Sequence, residues 1–119
     1  MADLLITAVK KPWGQYTTYE KDEGYLLKTI RVDALQKLSL QSHNFRSEFW
    51  VVARGKALVE IDGKETLLLK GESIAIPLKS THRLSNPDIE PLDLVEIQFG
   101  DVLEEEDIIR YEDIYGRES

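Results

Sequence analysis

Polar and apolar residues alternate with a period of two over most of this chain. In one such stretch Lys28, Ile30 and Val32 fall on one side of the repeat, and the residues between them fall on the other. The same alternation recurs at residues 38–43 and 92–99. Because successive side chains of a β-strand point to opposite faces of the sheet, this pattern predicts a chain built from strands.

Turn signals separate the predicted strands at short intervals. Residues 57–61 run into Asp62-Gly63, a dipeptide typical of two-residue hairpins, and a return strand is predicted at 66–69. Strands this short and this closely spaced favour a closed or sandwiched antiparallel β structure. Only residues 107–115 look helical, because they follow an acidic stretch and stop at a glycine, as helices often do.

Composition and charge limit the classes of function. With 119 residues the chain is expected to form one domain, and with no cysteine it has no disulfide and no thiolate metal site. A formal net charge of -7 argues against nucleic acid or an anionic membrane as a partner, but it leaves room for a local basic pocket that binds a small phosphorylated ligand. The sequence shows neither an apolar run long enough to cross a membrane nor a signal-peptide pattern, which favours a cytoplasmic location.

The two histidines carry the candidate chemistry. His43 is preceded two positions earlier by Gln41, so a strand would point both side chains to one face, and Glu48 begins the next strand-like run. His82 is the other histidine. Two imidazoles, a carboxylate and an amide oxygen suit a divalent metal, so these four residues are the predicted ligands. The alternatives are that Glu48 only pairs with Arg46 and that the glutamine only bonds across a strand.

The spacing of these residues resembles the two sequence motifs of cupins. The matching positions are Gln41, His43, Glu48 and Gly55 in the first motif, and Gly71, Pro77, His82 and Asn86 in the second. More closely, the chain resembles the type II mannose-6-phosphate isomerase cupin, which commonly forms the C-terminal part of bifunctional mannose-1-phosphate guanylyltransferase/mannose-6-phosphate isomerase. The likeness extends from about Lys11 to the Tyr115-Gly116-Arg117 ending.

The resemblance implies an all-β fold, a cupin-type double-stranded β-helix (jelly-roll) barrel, to which the residue pattern adds a short C-terminal helix. Residues 1–119 would form a single cupin domain. Because no glycine-rich nucleotide loop precedes Pro12, the chain is expected to be a free-standing version of the cupin half.

The activity implied is interconversion of mannose 6-phosphate and fructose 6-phosphate, which feeds GDP-mannose and polysaccharide synthesis. The implied cofactor is a divalent metal, with zinc the first expectation and iron, manganese or nickel open. Aldose–ketose isomerisation moves a proton between adjacent carbons, so it needs an acid/base group near the metal. Glu96 is the predicted acid/base, with Lys28 as proton donor or oxyanion partner, because alternation directs both into the barrel.

Further residues are predicted to bind the sugar phosphate. Arg46, Lys79 and Arg83 flank the ligand segments and are predicted to hold the phosphate, and Gln98 is predicted to contact the substrate. A homodimer is also expected, partly because cupins often pair through their barrel faces. The N-terminal segment at residues 12–19 adds to this, because its aromatic side chains exceed what a small barrel buries alone.

The chain departs from the family pattern at a few positions. Ala34-Leu35 stands where the family usually has Pro-Gly, Phe49 where a histidine follows the acid, and Lys79 where a glycine is usual. Asp88 also stands where glycine is frequent. Two alternative functions remain: a non-catalytic sugar-binding or regulatory cupin, and a metal-dependent dioxygenase, which two histidines and a carboxylate with open coordination positions also permit.

Overall fold

The computed structural model describes residues 6–117, and within that range the chain is built from eleven β-strands. The strands are β1 (Ala8–Lys11), β2 (Gly14–Asp22), β3 (Tyr25–Val32), β4 (Leu40–Ser42), β5 (Ser47–Arg54), β6 (Ala57–Ile61), β7 (Lys64–Leu68), β8 (Ser73–Ile76), β9 (His82–Ser85), β10 (Leu92–Phe99) and β11 (Ile109–Glu112).

The strands form two antiparallel sheets. The six-stranded sheet has the order β1-β2-β3-β10-β5-β8, and the five-stranded sheet has the order β11-β4-β9-β6-β7. Apolar side chains from both sheets, such as Ile30, Val52 and Leu94 from the first and Val59 and Leu84 from the second, pack into one core cluster. This is the sandwiched antiparallel arrangement that the residue pattern predicts.

The period-two alternation is confirmed on the strands that position the site. On β3, Lys28, Ile30 and Val32 are all buried, whereas the residues between them are more exposed. On β10 the inward face is apolar at first and then carries Glu96 and Gln98. The inner surface therefore changes along β10 from an apolar core to a buried cluster of polar side chains.

The predicted hairpin at Asp62-Gly63 is also confirmed. It joins β6 to β7, and both residues have positive φ, 48° at Asp62 and 86° at Gly63. A two-residue turn of type I′ requires this geometry at both central positions, which is why aspartate and glycine are favoured there.

The predicted helix at residues 107–115 is wrong. Residues 109–112 form β11 instead, which pairs with β4 at the edge of the five-stranded sheet. The Asp107 carboxylate, the expected start of the helix, accepts hydrogen bonds from the backbone amides of Asn44 and Phe45. These tertiary contacts and the open sheet edge outweigh a weak local helix preference. Residues 6–117 contain no helix, and so no helix that would be long and apolar enough to span a membrane.

The aromatic side chains of the N-terminal segment are largely buried within the barrel itself. Trp13 is buried in the core, Tyr16 packs against that core, and only Tyr19 is exposed. The expected homodimer therefore stays a prediction whose residue-based motivation rests on Tyr19 alone.

Two tight turns place non-glycine residues in the left-handed region of backbone space. Leu35 has φ 60° in a turn closed by the amide of Gln36 bonding to the carbonyl of Asp33. Lys79 has φ 66° in a turn closed in the same way from Ser80 to Pro77. Both are the positions at which the family pattern has glycine, so those departures fall on backbone that favours glycine.

Candidate metal centre and adjoining cavity

Two histidines and one glutamate converge where the two sheets face each other. His82 lies on β9, His43 directly follows β4, and Glu48 comes from β5 of the opposite sheet. All three side chains are buried, and their donor atoms lie within 4.8 Å of one another. Gln41, the fourth predicted ligand, lies on β4 directly opposite His82. Its side-chain nitrogen donates to Ser39 Oγ at 3.1 Å, which leaves its oxygen as the atom to offer a cation.

Both imidazoles are oriented as metal ligands require. His43 Nδ1 lies 2.7 Å from the carbonyl oxygen of Asp107, and His82 Nδ1 lies 3.2 Å from that of Ser80. A carbonyl only accepts, so each Nδ1 carries the hydrogen and each Nε2 presents a lone pair. Burial, followed by the charge of Arg46, lowers the pKa of His43 to about 3, and burial lowers that of His82 to about 4. Both rings are therefore neutral at pH 7, and the donor set fits a divalent cation.

Arg46 packs against the same donor atoms. Its Nε donates to Glu48 Oε2 at 2.8 Å, and its Nη2 lies 3.3 Å from His43 Nε2. A buried carboxylate needs a compensating charge, and the guanidinium provides one here. The two interpretations of Glu48 that the sequence left open, ion-pair partner and member of the histidine cluster, are thus both realised.

A second buried carboxylate is linked to the first through one indole. Trp50 Nε1 donates to Glu48 Oε1 at 3.0 Å and to Glu96 Oε1 at 2.9 Å. Gln98 Nε2 donates to Glu96 Oε2 at 2.8 Å, and Lys28 Nζ lies 3.5 Å from the same oxygen. Trp50 therefore couples the candidate metal ligand to the predicted acid/base.

Burial and charge set the protonation of the Lys28–Glu96 pair. Burial, followed by the negative charge of Glu48, raises the pKa of Glu96 above its usual range. Burial by itself lowers the pKa of Lys28, but the carboxylates of Glu96 and Glu105 more than offset this, so its pKa is raised. Lys28 is therefore an ammonium, and Glu96 takes up a proton more readily than an ordinary glutamate does.

These groups face one cavity. Lys28, Gln41, Glu48, His82 and Glu96 all line it, and Arg46 and Trp50 complete that wall.

The remaining predicted substrate-binding residues lie outside the cavity lining. Gln98 is fully buried, and its Oε1 has no hydrogen-bond partner among residues 6–117. Lys79 occupies the exposed turn before β9. Arg83 points to the other side of its sheet, where it donates to Leu38 O at 3.0 Å and pairs with Glu112 at 3.1 Å.

The rest of the cavity wall carries charged residues that sequence reasoning did not assign to the substrate. Lys11, Glu105, Arg110 and Arg117 all line it. Across the whole lining five cationic and three anionic side chains are present, although the chain has a net charge of -7. The arginines belong to the C-terminal segment that resembles the family, which is the one sequence signal for them, whereas Glu105 sits in the acidic stretch before the predicted helix. The cavity is thus a local basic site in an acidic protein.

Phe49, which replaces a histidine of the family pattern, does not face this site. It follows Glu48 on β5 and lies across from Ala75 and Ile97 on the neighbouring strands. The burial alternation along β5 places it on the outer face of the sheet. The replacement therefore leaves the inner wall of the cavity unchanged.

Comparison with known proteins identifies relatives over most of the chain. A family model described as "Mannose-6-phosphate isomerase C-terminal" matches residues 4–113. Mannose-1-phosphate guanylyltransferase ManC of Salmonella typhimurium is 49% identical over 109 residues, which cover 92% of this chain and 23% of that protein. The alginate biosynthesis protein AlgA of Pseudomonas aeruginosa is 44% identical over 109 residues, with the same shares covered, 92% and 23%. The chain thus spans about a quarter of the length of these relatives.

Solved structures show the same fold. An RmlC-like cupin from Shewanella frigidimarina superimposes with a TM-score of 0.72 and 17% identity, covering 84% of this chain and 87% of that one. The prediction of a cupin-type jelly-roll barrel is therefore confirmed, apart from its C-terminal helix.

Proposed function

We propose, from the premise that this chain belongs to the mannose-6-phosphate isomerase C-terminal family of cupin domains, that it interconverts mannose 6-phosphate and fructose 6-phosphate with the help of a divalent metal. The observation that carries the proposal is that Glu48 and His82 of the ligand cluster share one cavity with Lys28 and Glu96. Mannose 6-phosphate formed in this way would enter GDP-mannose and polysaccharide synthesis, in keeping with the name of the alginate biosynthesis relative.

The metal would be held by His43, His82 and Glu48, with Gln41 as a further oxygen ligand. The supporting observation is the chemistry of the donors: two neutral imidazoles whose Nδ1 atoms bond to carbonyl oxygens, and one buried carboxylate. A bound divalent ion supplies polarisation of the sugar's carbonyl and hydroxyl oxygens. Zinc, iron, manganese and nickel are all compatible with this mixed nitrogen and oxygen set.

The phosphate would bind at the basic part of the cavity wall. Lys11, Arg110 and Arg117 line the cavity, whereas Lys79 and Arg83 of the sequence-based prediction do not. Arg110 lies opposite Gln41 across the β11–β4 pair, and its buried Nε has no hydrogen-bond partner among residues 6–117. An unpaired guanidinium donor beside the candidate ligands suits a phosphate oxygen, which accepts charge-assisted hydrogen bonds.

Lys28 and Glu96 would transfer the protons that the sugar's oxygen atoms gain and lose. Isomerisation converts a carbonyl oxygen into a hydroxyl and the neighbouring hydroxyl into a carbonyl, so one proton must move from oxygen to oxygen. The Lys28 ammonium is the donor to the carbonyl oxygen, and Glu96, 3.5 Å away, acts as the acid/base that exchanges that proton with it. Burial, followed by the charge of Glu48, raises the pKa of Glu96, and this favours the role because the carboxylate takes up a proton more readily than an ordinary glutamate does.

The proposal is tested by metal loading followed by a turnover assay. The purified chain is freed of metal, reloaded separately with zinc, manganese, iron(II) or nickel, and supplied with mannose 6-phosphate while fructose 6-phosphate is measured. We expect turnover with at least one metal and its loss in Glu48→Gln. Glu65→Gln, an equivalent change at an exposed residue on β7, serves as the control and should keep full activity. A loaded wild-type protein that forms no fructose 6-phosphate would contradict the proposal.

One observation favours a second candidate, a metal-free sugar-phosphate-binding module. Arg46 already contacts both Glu48 and His43, so the protein has its own cation beside the donor cluster. Under this alternative the purified protein holds no stoichiometric metal after exposure to each ion, and calorimetry detects mannose 6-phosphate binding without turnover.

A further inference from the structure

We propose that Glu105 is a catalytic carboxylate of this cavity and carries the hydrogen that moves between C1 and C2 of the sugar. The inference rests on the proposed isomerase function and adds a residue to it. Two observations carry it: the side chain lines the cavity, and it contacts Lys28, the residue that also contacts Glu96.

Glu105 faces the cavity despite its position in an acidic run. Its Oε2 lies 3.5 Å from Lys28 Nζ, the same distance that separates that nitrogen from Glu96 Oε2. It also adjoins Tyr16, where burial and then the charge of Glu105 raise the pKa of the hydroxyl. The ammonium thus contacts two carboxylates, one buried and one exposed at the cavity wall.

The turn that carries Glu105 is fixed to the candidate metal centre. Arg46 Nη1 donates to Glu104 O at 3.1 Å, and His43 Nδ1 donates to Asp107 O at 2.7 Å. The Asp107 carboxylate accepts hydrogen bonds from the amides of Asn44 and Phe45 at 2.8 and 2.9 Å. Glu105 lies between these two anchored residues of the turn, so its backbone is positioned by the same residues that form the ligand cluster.

Burial separates the tasks of the two carboxylates. Both oxygens of Glu96 are already occupied, Oε1 by Trp50 and Oε2 by Gln98 and Lys28, and its side chain is 4% exposed. The Glu105 side chain is 52% exposed and has Lys28 as its one ion-pair partner among residues 6–117. A base that abstracts a carbon-bound hydrogen must reach the substrate directly, and Glu105 is the carboxylate with room to do so.

The hydrogen transfer uses Glu105 at the carbon atoms and Lys28 at the oxygen atoms. The Glu105 carboxylate takes the proton from C2 of the open-chain aldose, and the C2–H electron pair becomes the C1=C2 bond. The electron pair of the carbonyl π bond moves to O1, which takes a proton from Lys28, and a protonated Glu96 restores that proton to Lys28. O2 then gives its proton to Lys28, which returns one to Glu96; the O2 electron pair forms the C2=O2 bond, and the C1=C2 pair takes the proton from Glu105 at C1. All three side chains end as they began.

The run Glu104-Glu105-Glu106 supplies matched controls. All three residues are exposed acids, and only Glu105 lines the cavity. We expect Glu105→Gln to lower kcat by roughly 10²-fold or more with little change in KM, while E104Q and E106Q stay near wild type. E105Q should also stop the exchange of the substrate C2 hydrogen with D₂O, and its metal content and thermal midpoint should match wild type. Glu105→Asp, which keeps the carboxylate, should recover part of the turnover.

The outcomes separate this inference from the function on which it rests. Wild-type kcat in E105Q, a rise in KM alone, or an equal loss in E104Q or E106Q overturns the role of Glu105 and leaves the isomerase proposal standing. If metal-loaded wild-type protein turns over no hexose 6-phosphate, both are overturned.

Discussion

Replacing Leu35 with glycine is expected to stabilise the protein. A residue with a Cβ held in the left-handed region costs about 1–2 kcal/mol, and Leu35 has φ 60°. Glycine removes that cost but gives the unfolded chain more freedom, which offsets about 0.4–1 kcal/mol of the gain. The free energy of unfolding should therefore rise by about 0.5–1 kcal/mol, equivalent to a rise in Tm of roughly 2–4 °C.

The local structure leaves little else to change at this position. The Leu35 side chain is 63% exposed, so its removal forfeits little apolar burial. The Leu35 amide bonds to Asp88 O at 3.0 Å and the turn is closed by Gln36 bonding to Asp33, and both bonds use backbone atoms that glycine also has. Leu35 sits at the third position of that turn, where a type II turn favours glycine.

The assay is urea unfolding of wild type, Leu35→Gly and Leu35→Ala, followed by tryptophan fluorescence. Alanine removes the same side chain but keeps the Cβ, so it controls for lost contacts and should not share the gain. The midpoint should rise for glycine at an unchanged m-value. If L35G is no more stable than L35A, backbone strain at this turn is refuted as the cause. Because Lys79 has φ 66°, Lys79→Gly should raise the free energy of unfolding for the same reason.

The remaining predictions concern the site. His82→Ala should remove most bound metal, measured by mass spectrometry of the loaded protein, because water replaces a buried imidazole poorly; Ser85→Ala on the same strand should keep it. In metal-free protein the unfolding free energy should fall as pH drops from about 6.5 towards 4, because the pKa values of His43 and His82 are lowered to about 3 and about 4 in the fold and the unfolded chain binds more protons. An H43N/H82N double variant should show a flatter pH profile, and an equally steep one would count against the assignment. Glu96→Gln should lower turnover by roughly 10²-fold or more and leave substrate binding nearly intact. Glu90→Gln, the control, should keep wild-type turnover. Equal activity in E96Q and wild type would remove Glu96 from the mechanism.

Local periodicity predicts the inner face of the barrel well. Lys28, Glu96 and Glu48 are found inside because side-chain direction in a strand follows from position alone. The same rule, applied strictly, also places Arg83 outside, since it directly follows the inward-facing His82. Its selection as a phosphate ligand relied on proximity along the chain, which period-two alternation contradicts.

Long-range pairing accounts for what sequence reasoning missed. The segment after β10 looked helical in isolation, yet it docks on residues far earlier in the chain: Tyr111 and Ser42, whose hydroxyl oxygens lie 2.9 Å apart, are separated by 69 positions. That docking brings Glu105, Arg110 and Arg117 to the cavity. No local pattern around these residues encodes the partner strand, so their place in the site follows only from the fold.

The bond between His43 and the Asp107 carbonyl, which spans 64 positions, ties the orientation of this ring to the folded state. The ligand ring is oriented only after the late segment has docked, so an unfolded or half-folded chain holds none of the geometry that selects a metal. A divalent ion bound at the proposed site by the native state alone would add RT ln(1 + [M]/Kd) to the stability of the fold. Under that proposal, removing the ion with a chelator would lower the unfolding free energy of the whole barrel and not only of the few residues that touch the ion.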